Sequence, residues 1–549
     1  LSGSGRDDVQ YHRWLGIHDP DVPALQRMRD ENRGWKYRPL VSVVVPVYNP
    51  APRWLDEMIQ SVRAQVYDNW ELCIADDRSP DPSVAEALRR WAMADPRIRV
   101  VFRTENGNIA AASNSALGLA TGELVALLDH DDVLRPHALH SVVARLQVDH
   151  DADILYSDED KILLDGSRGQ VVFKGGYDPD YILSTNYVCH LSVFRRSLIA
   201  DVGGFRTGLD GSQDHDLVLR TAERATSIVH VPDVLYSWKQ VPGSAALAYE
   251  EKPAAWTAGL TAVQDALDRR DTGARAEYGP RVGTYTVRYP LPSRCSVRVI
   301  LLAAHDRAAV AAARLELGRS TGLAGVSWQV AAVDASHDSL GGIDTVVMVV
   351  SGAPSRSRLL NAAAAAGSSD VLVFVDGDLV PGAGTEDWLA PLVEQAIRDE
   401  VGMSGGRIVR ADGAAEHEGL HVGGPAVAES IGVRYPVIQR VAAVSGACLA
   451  IRGGLFHELG GFDERYRTSL YDVDLCLRAR RAGFACVYTP LTELRRQRVR
   501  RGSAPPDYRS PSTEDVATFH ATWNGSAAFS DPYVSPWVDR VHPLVLRQR

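Results

Sequence analysis

Residues 1–40 are polar and rich in charge, with Tyr11, Trp14 and Trp35 as aromatic anchors, and read as a short helical lead-in. At Leu40 the pattern changes. Val41–Val47 is an unbroken apolar, mostly β-branched run, as a strand covered on both faces requires. Apolar positions recur at helical spacing over 54–65, and strand-like runs cover 71–75, 98–102 and 124–128, with further helical segments over 84–93 and 109–120. This alternation predicts a parallel sheet with helices on both faces. Ligands on such sheets bind outside the carboxyl ends of the strands, which is where Asp76, Asp77, Asp129 and Asp131 fall.

The pattern then repeats. Strands are expected over 297–302, 328–333, 345–350 and 371–375, and helices over 308–317 and 358–366. Asn114 precedes Asp129 by 15 residues, and Asn361 precedes Asp376 by the same 15. Each half has a Gly-Gly-Phe (Gly203-Gly204-Phe205; Gly460-Gly461-Phe462) followed by Asp-x-Asp-Leu-x-x-Arg, starting at Asp214 and at Asp472. Shared motif order points to tandem copies of one domain. The Pro-containing stretch 289–294 suits the boundary.

With 549 residues, 45% hydrophobic and 23% charged, the chain is long enough for two large domains with real cores. Its net charge of -10 argues against general nucleic-acid binding, which needs a basic surface. None of the six cysteines forms a Cys-x-x-Cys pair and several lie in apolar stretches, so they are expected to be reduced, in a cytoplasmic setting. Residues 1–5 lack the basic and apolar segments of a signal peptide, and no apolar run reaches about 18 residues. Membrane contact is therefore expected to be peripheral at most, at the inner face of the plasma membrane.

The strand-end carboxylates carry the candidate chemistry. Asp129-His-Asp131-Asp132 puts three carboxylates in four residues, which repel unless solvated or gathered around a cation. A hard divalent ion, Mg²⁺ or Mn²⁺, takes oxygen ligands and bridges diphosphate oxygens. A solvated acidic turn is the competing reading, and the buried strand before it favours the metal. Asp76-Asp77 suit hydrogen bonds to a base or ribose, or an Asx turn into Ser79-Pro80. Asp214 opens a helical stretch, as an N-cap or as the base that takes a proton from an attacking hydroxyl.

Taken together, Val41-Ser-Val-Val-Val-Pro46-Val-Tyr48-Asn49, Asp76-Asp77-x-Ser79, Asn114 and Leu-Leu-Asp129-His-Asp131-Asp132 resemble glycosyltransferase family 2, whose fold is GT-A. Tyr156-Ser-Asp158-Glu-Asp160-Lys161 and Gly211-Ser-Gln-Asp214-His-Asp216-Leu resemble a bacterial branch that builds O-antigens, rhamnose-rich polymers and capsules, and the stretch 234–244 is similar to its closing segment. The resemblance is strong over 41–250 and reaches the second half through Asn361, Asp376-Gly-Asp378, the segment from Gly405 to Gly419, Asp472-Val-Asp474-Leu and Asp531-Pro-Tyr533.

The resemblance implies an α/β protein of two tandem GT-A domains, each Rossmann-like with a mostly parallel sheet. They span 41–290 and 291–500, after the lead-in 1–40 and before a tail, 501–549, packed on the second domain. It implies that Pro46, Tyr48, Asn49, Asp76, Asp77 and Asn114 line a nucleotide pocket, with Asn361 as a second-copy counterpart. Asp129 and Asp131 hold the metal and Asp214 is the base; Asp376, Asp378 and Asp472 repeat those roles. The reaction implied is inverting transfer from a UDP- or dTDP-sugar, with Mn²⁺ or Mg²⁺, to a hydroxyl of a glycan, lipid-linked glycan or glycoprotein.

The chain departs from the family pattern in places. The late His that often joins the metal is absent from Trp238-Lys-Gln-Val241-Pro, and Glu493-Leu-Arg495-Arg496-Gln-Arg498 carries arginines instead. These arginines form either a grip on the donor diphosphate or a solvated basic loop. The second copy runs into Ala303-Ala-His305-Asp306 where the first has Pro-x-Tyr-Asn, and it has a single Asp334 at its second strand end. Three readings follow: two active transfer sites, one active site with a degenerate acceptor-binding second copy, or a sugar nucleotidyltransferase. The last calls for a Gly-rich phosphate loop that 46–50 does not supply, and a dehydrogenase lacks its Gly-x-Gly-x-x-Gly.

Overall fold

The computed structural model describes residues 5–240, 253–302, 307–319, 321, 323–333, 346–350, 355–382, 384–385, 387–422, 428–430, 436–497, 511–526 and 529–537. The motif positions Val241 to Ser244, Ala303 to Asp306, Asp334 to Ser336 and Arg498 lie outside the described residues.

Two helices, Gly5–His18 and Val22–Gly34, form the lead-in, and Asp21 caps the second by accepting from the Ala24 N–H at 2.8 Å. Their aromatic anchors are packed: Tyr11 and Trp14 are buried, and Trp35 stacks on His140.

The first sheet contains β1 (Val41–Val47), β2 (Trp70–Asp76), β3 (Ile98–Phe102), β4 (Leu124–Leu127), β5 (Val133–Leu134), β6 (Ile154–Ile162), β7 (Arg168–Val172), β8 (Ser192–Arg195) and β9 (Ile228–Lys239), in the order β3-β2-β1-β4-β8-β6-β9-β5, with β7 beside β6. The four strands read from the sequence pair in parallel, as β6 and β9 also do. Val43, Val45, Leu72 and Ile74 pack on one face with Leu55, Ile59 and Leu88 of the flanking helices. Val44, Cys73 and Val125 pack on the other with Ala110 and Ala116. Burial of both faces is why these strands are apolar without alternation. β8 runs antiparallel between β4 and β6, making the whole sheet mixed and curled.

After the hairpin β10 (Arg275–Tyr278) and β11 (Tyr285–Arg288), the chain builds the sheet again. Its strands are β12 (Val297–Leu302), β13 (Val326–Val333), β14 (Val346–Val350), β15 (Val371–Asp376), β16 (Leu379–Pro381), β17 (Val401–Val409), β18 (Ala415–His417), β21 (Gln439–Val441), β22 (Cys448–Arg452) and β23 (Ala485–Arg496); β19 (Leu420–Val422) and β20 (Ala428–Ser430) pair separately. The order β14-β13-β12-β15-β22-β17-β23-β16 matches the first sheet strand for strand. The chain is thus a tandem pair of GT-A-like α/β units.

The repeated motifs have a shared structural purpose. Asn114 donates to the Phe205 carbonyl at 2.8 Å and accepts from its N–H at 2.9 Å; Asn361 does the same to Phe462 at the same distances. Asp216 accepts from Arg220 Nε at 2.7 Å, and Arg220 Nη2 donates to the Gly204 carbonyl at 2.7 Å. Asp474, Arg478 and Gly461 repeat this at 2.8 Å and 2.8 Å. Asn114 and Asn361, expected to line nucleotide pockets, use both amide atoms to clamp the Gly-Gly-Phe turn. All six cysteines are free thiols here.

The end of the chain touches both units. The helix Thr513–Trp523 packs on the second unit, where Trp523 Nε1 donates to Asp474 Oδ1 at 2.9 Å. Residues 531–537 cross to the first: Gly176 N–H donates to the Pro532 carbonyl at 2.7 Å, and Trp537 packs edge-on against Trp14. The units also meet through Asp180, which accepts from Arg398 and Arg440 at 2.7 Å each. No helix among the described residues is long and apolar enough to cross a membrane.

Candidate active site

Asp129 lies two residues beyond β4, at the open rim of the first sheet, and its side chain is 45% exposed. Tyr236, on β9, donates to Asp132 Oδ2 at 2.6 Å, and the Lys239 N–H donates to Asp132 Oδ1 at 2.7 Å. Asp132 is thereby fixed and fully buried beside Asp129. Burial, then the charges of Asp131 and Asp129, push its carboxyl well above the usual range. Asp129 is raised as well, by desolvation and then by Asp131 and Asp214, against the pull of His190 and His130. Burial and the neighbouring carboxylates thus both disfavour ionisation at this rim.

His190 was not singled out from the sequence. It follows β7 on the segment that leads into β8, and its Nε2 lies 4.0 Å from Asp129 Oδ2. Its ring stacks on Tyr236, 4.7 Å between centroids, and its Nδ1 lies 3.4 Å from Glu159 Oε2. Burial raises Glu159, but Lys174 and His190 outweigh it and hold the carboxyl down at about 2. Ligand atoms of Asp129, Asp132 and His190 all lie within 4.8 Å of one another. Two carboxylates and one imidazole at that separation are a donor set that a Mn²⁺ or Mg²⁺ ion fits. Asp131 stays half-buried in the same turn, outside that trio, and presses on both neighbours by charge.

Asp214 lies in the first turn of the helix Gln213–Ala222, half-buried, where the helix N-terminus favours a carboxylate. Asn186 Nδ2 donates to its Oδ2 at 2.9 Å. Four residues on, the same segment presents His190 to Asp129. Asp214 is also close enough for its charge to act on Asp129. The two aspartates, 85 positions apart in the sequence, are thus brought near one another.

On the other side of β1, Asp76 accepts from Ser79 Oγ at 2.5 Å and from the Ser79 N–H at 3.3 Å. Asp77 is buried and accepts from Arg103 Nε at 2.7 Å and from the Gly107 N–H at 3.0 Å. The Asn49 N–H donates to Ser79 Oγ at 2.8 Å, Tyr48 is exposed, and the Pro46 carbonyl lies 3.2 Å from His130 Nδ1. These residues form a rigid ledge next to the acidic rim.

The second unit keeps the carboxylates and changes what faces them. Asp376 is 8% exposed and pairs with Arg356 and Arg496. Arg496 Nη1 donates to Asp378 Oδ1 at 2.6 Å, and its Nε and Nη2 donate to Glu416 at 2.9 Å and 2.6 Å. Asp472 is 0% exposed and accepts from the Gly446 N–H at 2.5 Å. Arg495 is exposed.

The duplicated GT-A-like units, with acidic clusters at matching strand ends, define the class. The profile of Glycosyl transferase family 2 matches residues 42–203. The chain is 39% identical to the protein y4gI of Sinorhizobium fredii over 529 residues, 91% of this chain and 57% of that protein. It is 32% identical to the O-antigen biosynthesis protein RfbC of Myxococcus xanthus over 530 residues, 91% of this chain and 40% of that one. It is also 30% identical over 207 residues to EpsE of Bacillus subtilis, named as a glycosyltransferase, covering 37% of this chain and 73% of EpsE. The chain belongs to glycosyl transferase family 2. It spans about half the length of the relatives that it matches almost throughout.

Proposed function

We propose that the chain is an inverting glycosyltransferase that moves a sugar from a nucleotide diphosphate donor to a hydroxyl of a glycan or glycoconjugate, in bacterial surface-polysaccharide synthesis. The observation that supports this reading is the nearness of Asp214 to Asp129, with Asn186 bonded to the one and His190, four residues on, beside the other. Family membership and the similarity to RfbC support the substrate class, with a UDP- or dTDP-sugar as donor.

Asp129, Asp132 and His190 would hold a Mn²⁺ or Mg²⁺ ion, with Asp131 adding charge. When bound, such an ion neutralises the donor's diphosphate and so stabilises the departing nucleotide. Glu159 orients His190 through Nδ1 and leaves Nε2 facing Asp129. Pro46, Tyr48, Asn49, Asp76 and Asp77 form the nucleotide ledge: the buried Asp77–Arg103 pair fixes the backbone while Tyr48 offers an open ring. Asp214 takes the proton of the acceptor hydroxyl as that oxygen attacks the anomeric carbon from the face opposite the leaving group, which inverts the configuration. Asn186 holds the Asp214 carboxylate in place. The setting is expected to be cytoplasmic, with contact at the inner membrane face if the acceptor is lipid-linked.

The test is a screen of nucleotide sugars for donor consumption, with and without Mn²⁺. Turnover of one donor that Asp129→Asn abolishes would support the proposal. No metal-dependent turnover with any UDP-, dTDP- or GDP-sugar would reject it.

A further inference from the structure

The acidic rim is exposed at Asp129 in the first unit, 45%, and closed at Asp376 in the second, 8%, where an arginine stands among the carboxylates. Asp376 ends β15 as Asp129 follows β4, and Asp378 and Glu416 face it. Between the three carboxylates lies the guanidinium of Arg496, the last residue of β23. Its Nε, Nη1 and Nη2 all donate within this cluster, and Nη1 reaches Asp376 Oδ2 at 3.3 Å as well as Asp378. Arg356 pairs with the other oxygen of Asp376, and its guanidinium lies over the Tyr471 ring. A guanidinium keeps its charge at any working pH and cannot diffuse away, and its planar fork matches carboxylates in pairs. The candidate base differs as well: Asp214 is half-buried and held by a side-chain amide, whereas Asp472 is fully enclosed against a backbone N–H.

We infer that Arg496 is the permanent cation of the second unit, which therefore takes neither a divalent ion nor a nucleotide diphosphate, leaving one donor site per chain. Arg496 then forms no grip on a donor, because it directs its donors inward to its own carboxylates. Counting one donor site rests on the proposed function of the first unit, but the claim about the second unit does not.

The test counts bound Mn²⁺ per full chain, by electron paramagnetic resonance of the free ion, and bound UDP or dTDP by equilibrium dialysis. Wild type should bind one Mn²⁺, and Asp376→Asn should leave that count at one. Asp129→Asn should lower it to none. Arg496→Ser uncovers three carboxylates and should raise the count to two, with Mn²⁺ but not Na⁺ raising its melting temperature; Arg496→Lys should keep the count at one. A wild-type count of two that Asp376→Asn lowers to one would overturn the inference, even if Arg496→Ser fails to fold. A wild-type count of none would instead sink the reading of the first unit, while a gain of one in Arg496→Ser would still support the second.

Discussion

Asp216 tests whether the repeated Asp-x-Asp-Leu-x-x-Arg motif is half chemistry and half clamp. Its carboxylate is fully buried and accepts from Arg220 Nε at 2.7 Å and Arg206 Nε at 2.9 Å. Arg220 is 8% exposed and ties the Val202 and Gly204 carbonyls to the same helix. Asp216→Asn keeps the shape and removes the charge. Breaking one side of a buried ion pair costs about 3–5 kcal/mol, because the other charge is left behind. Arg206, 37% exposed, can rehydrate and adds little. A loss of about 3–4 kcal/mol corresponds to roughly 6–16 °C for a domain of this size. Differential scanning calorimetry should show that drop in the transition of the first unit, and Asp474→Asn a similar drop in that of the second. A shift below about 2 °C in both would refute the clamp.

Gly204 has φ +74°, and an added Cβ would lie 2.7 Å from Asn114 Oδ1, whereas Gly203, at φ +80°, has open space. Gly204→Ala should therefore cost more than the roughly 1–2 kcal/mol of left-handed strain expected for Gly203→Ala; equal urea midpoints would contradict this. Burial pushes His137 down from 6.5 to about 4. The unfolded chain then binds that proton at a higher pH than the fold does, so this contribution is present above about pH 6.5 and is lost as pH falls towards 4, by about 1.4 kcal/mol per unit. Denaturation at pH 7 and pH 5 should show a smaller loss in His137→Gln than in wild type, and equal losses would reject the assignment. His190→Ala should weaken Mn²⁺ binding by roughly 10–100-fold, measured by calorimetric titration, and unchanged affinity would remove His190 from the metal trio.

The parallel strands were legible because burial on both faces leaves uninterrupted apolar runs such as Val41–Val47 and Val297–Leu302. The later strands were not. β6 carries Asp158, Glu159 and Asp160, which read as a charged motif, yet all three are buried. Their partners are His230 and the Lys174 N–H for Asp158, Lys174 for Glu159, and Tyr11, Arg168 and Ser237 for Asp160. Only tertiary pairing makes such a strand buried, and no local pattern encodes it. His190 was missed for the same reason: it is one histidine in an irregular segment, and its position beside Asp129 depends on β8 running antiparallel to β4. The motif Asn186-Tyr-Val-Cys-His190 just ahead of a strand was the one available signal. The equal spacing of Asn114 and Asn361 to Asp129 and Asp376 reflects a shared clamp on the Gly-Gly-Phe turn, and spacing alone does not separate a clamp from a ligand.

The most direct measurement is single-turnover transfer by Asp214→Asn, alongside its donor affinity in the presence of Mn²⁺. The change keeps size and removes the base, so the transfer rate should fall by about 10²–10⁴ while donor affinity stays within about threefold. Transfer at the wild-type rate by Asp214→Asn would show that the proton leaves by another route and that this site does not do the chemistry.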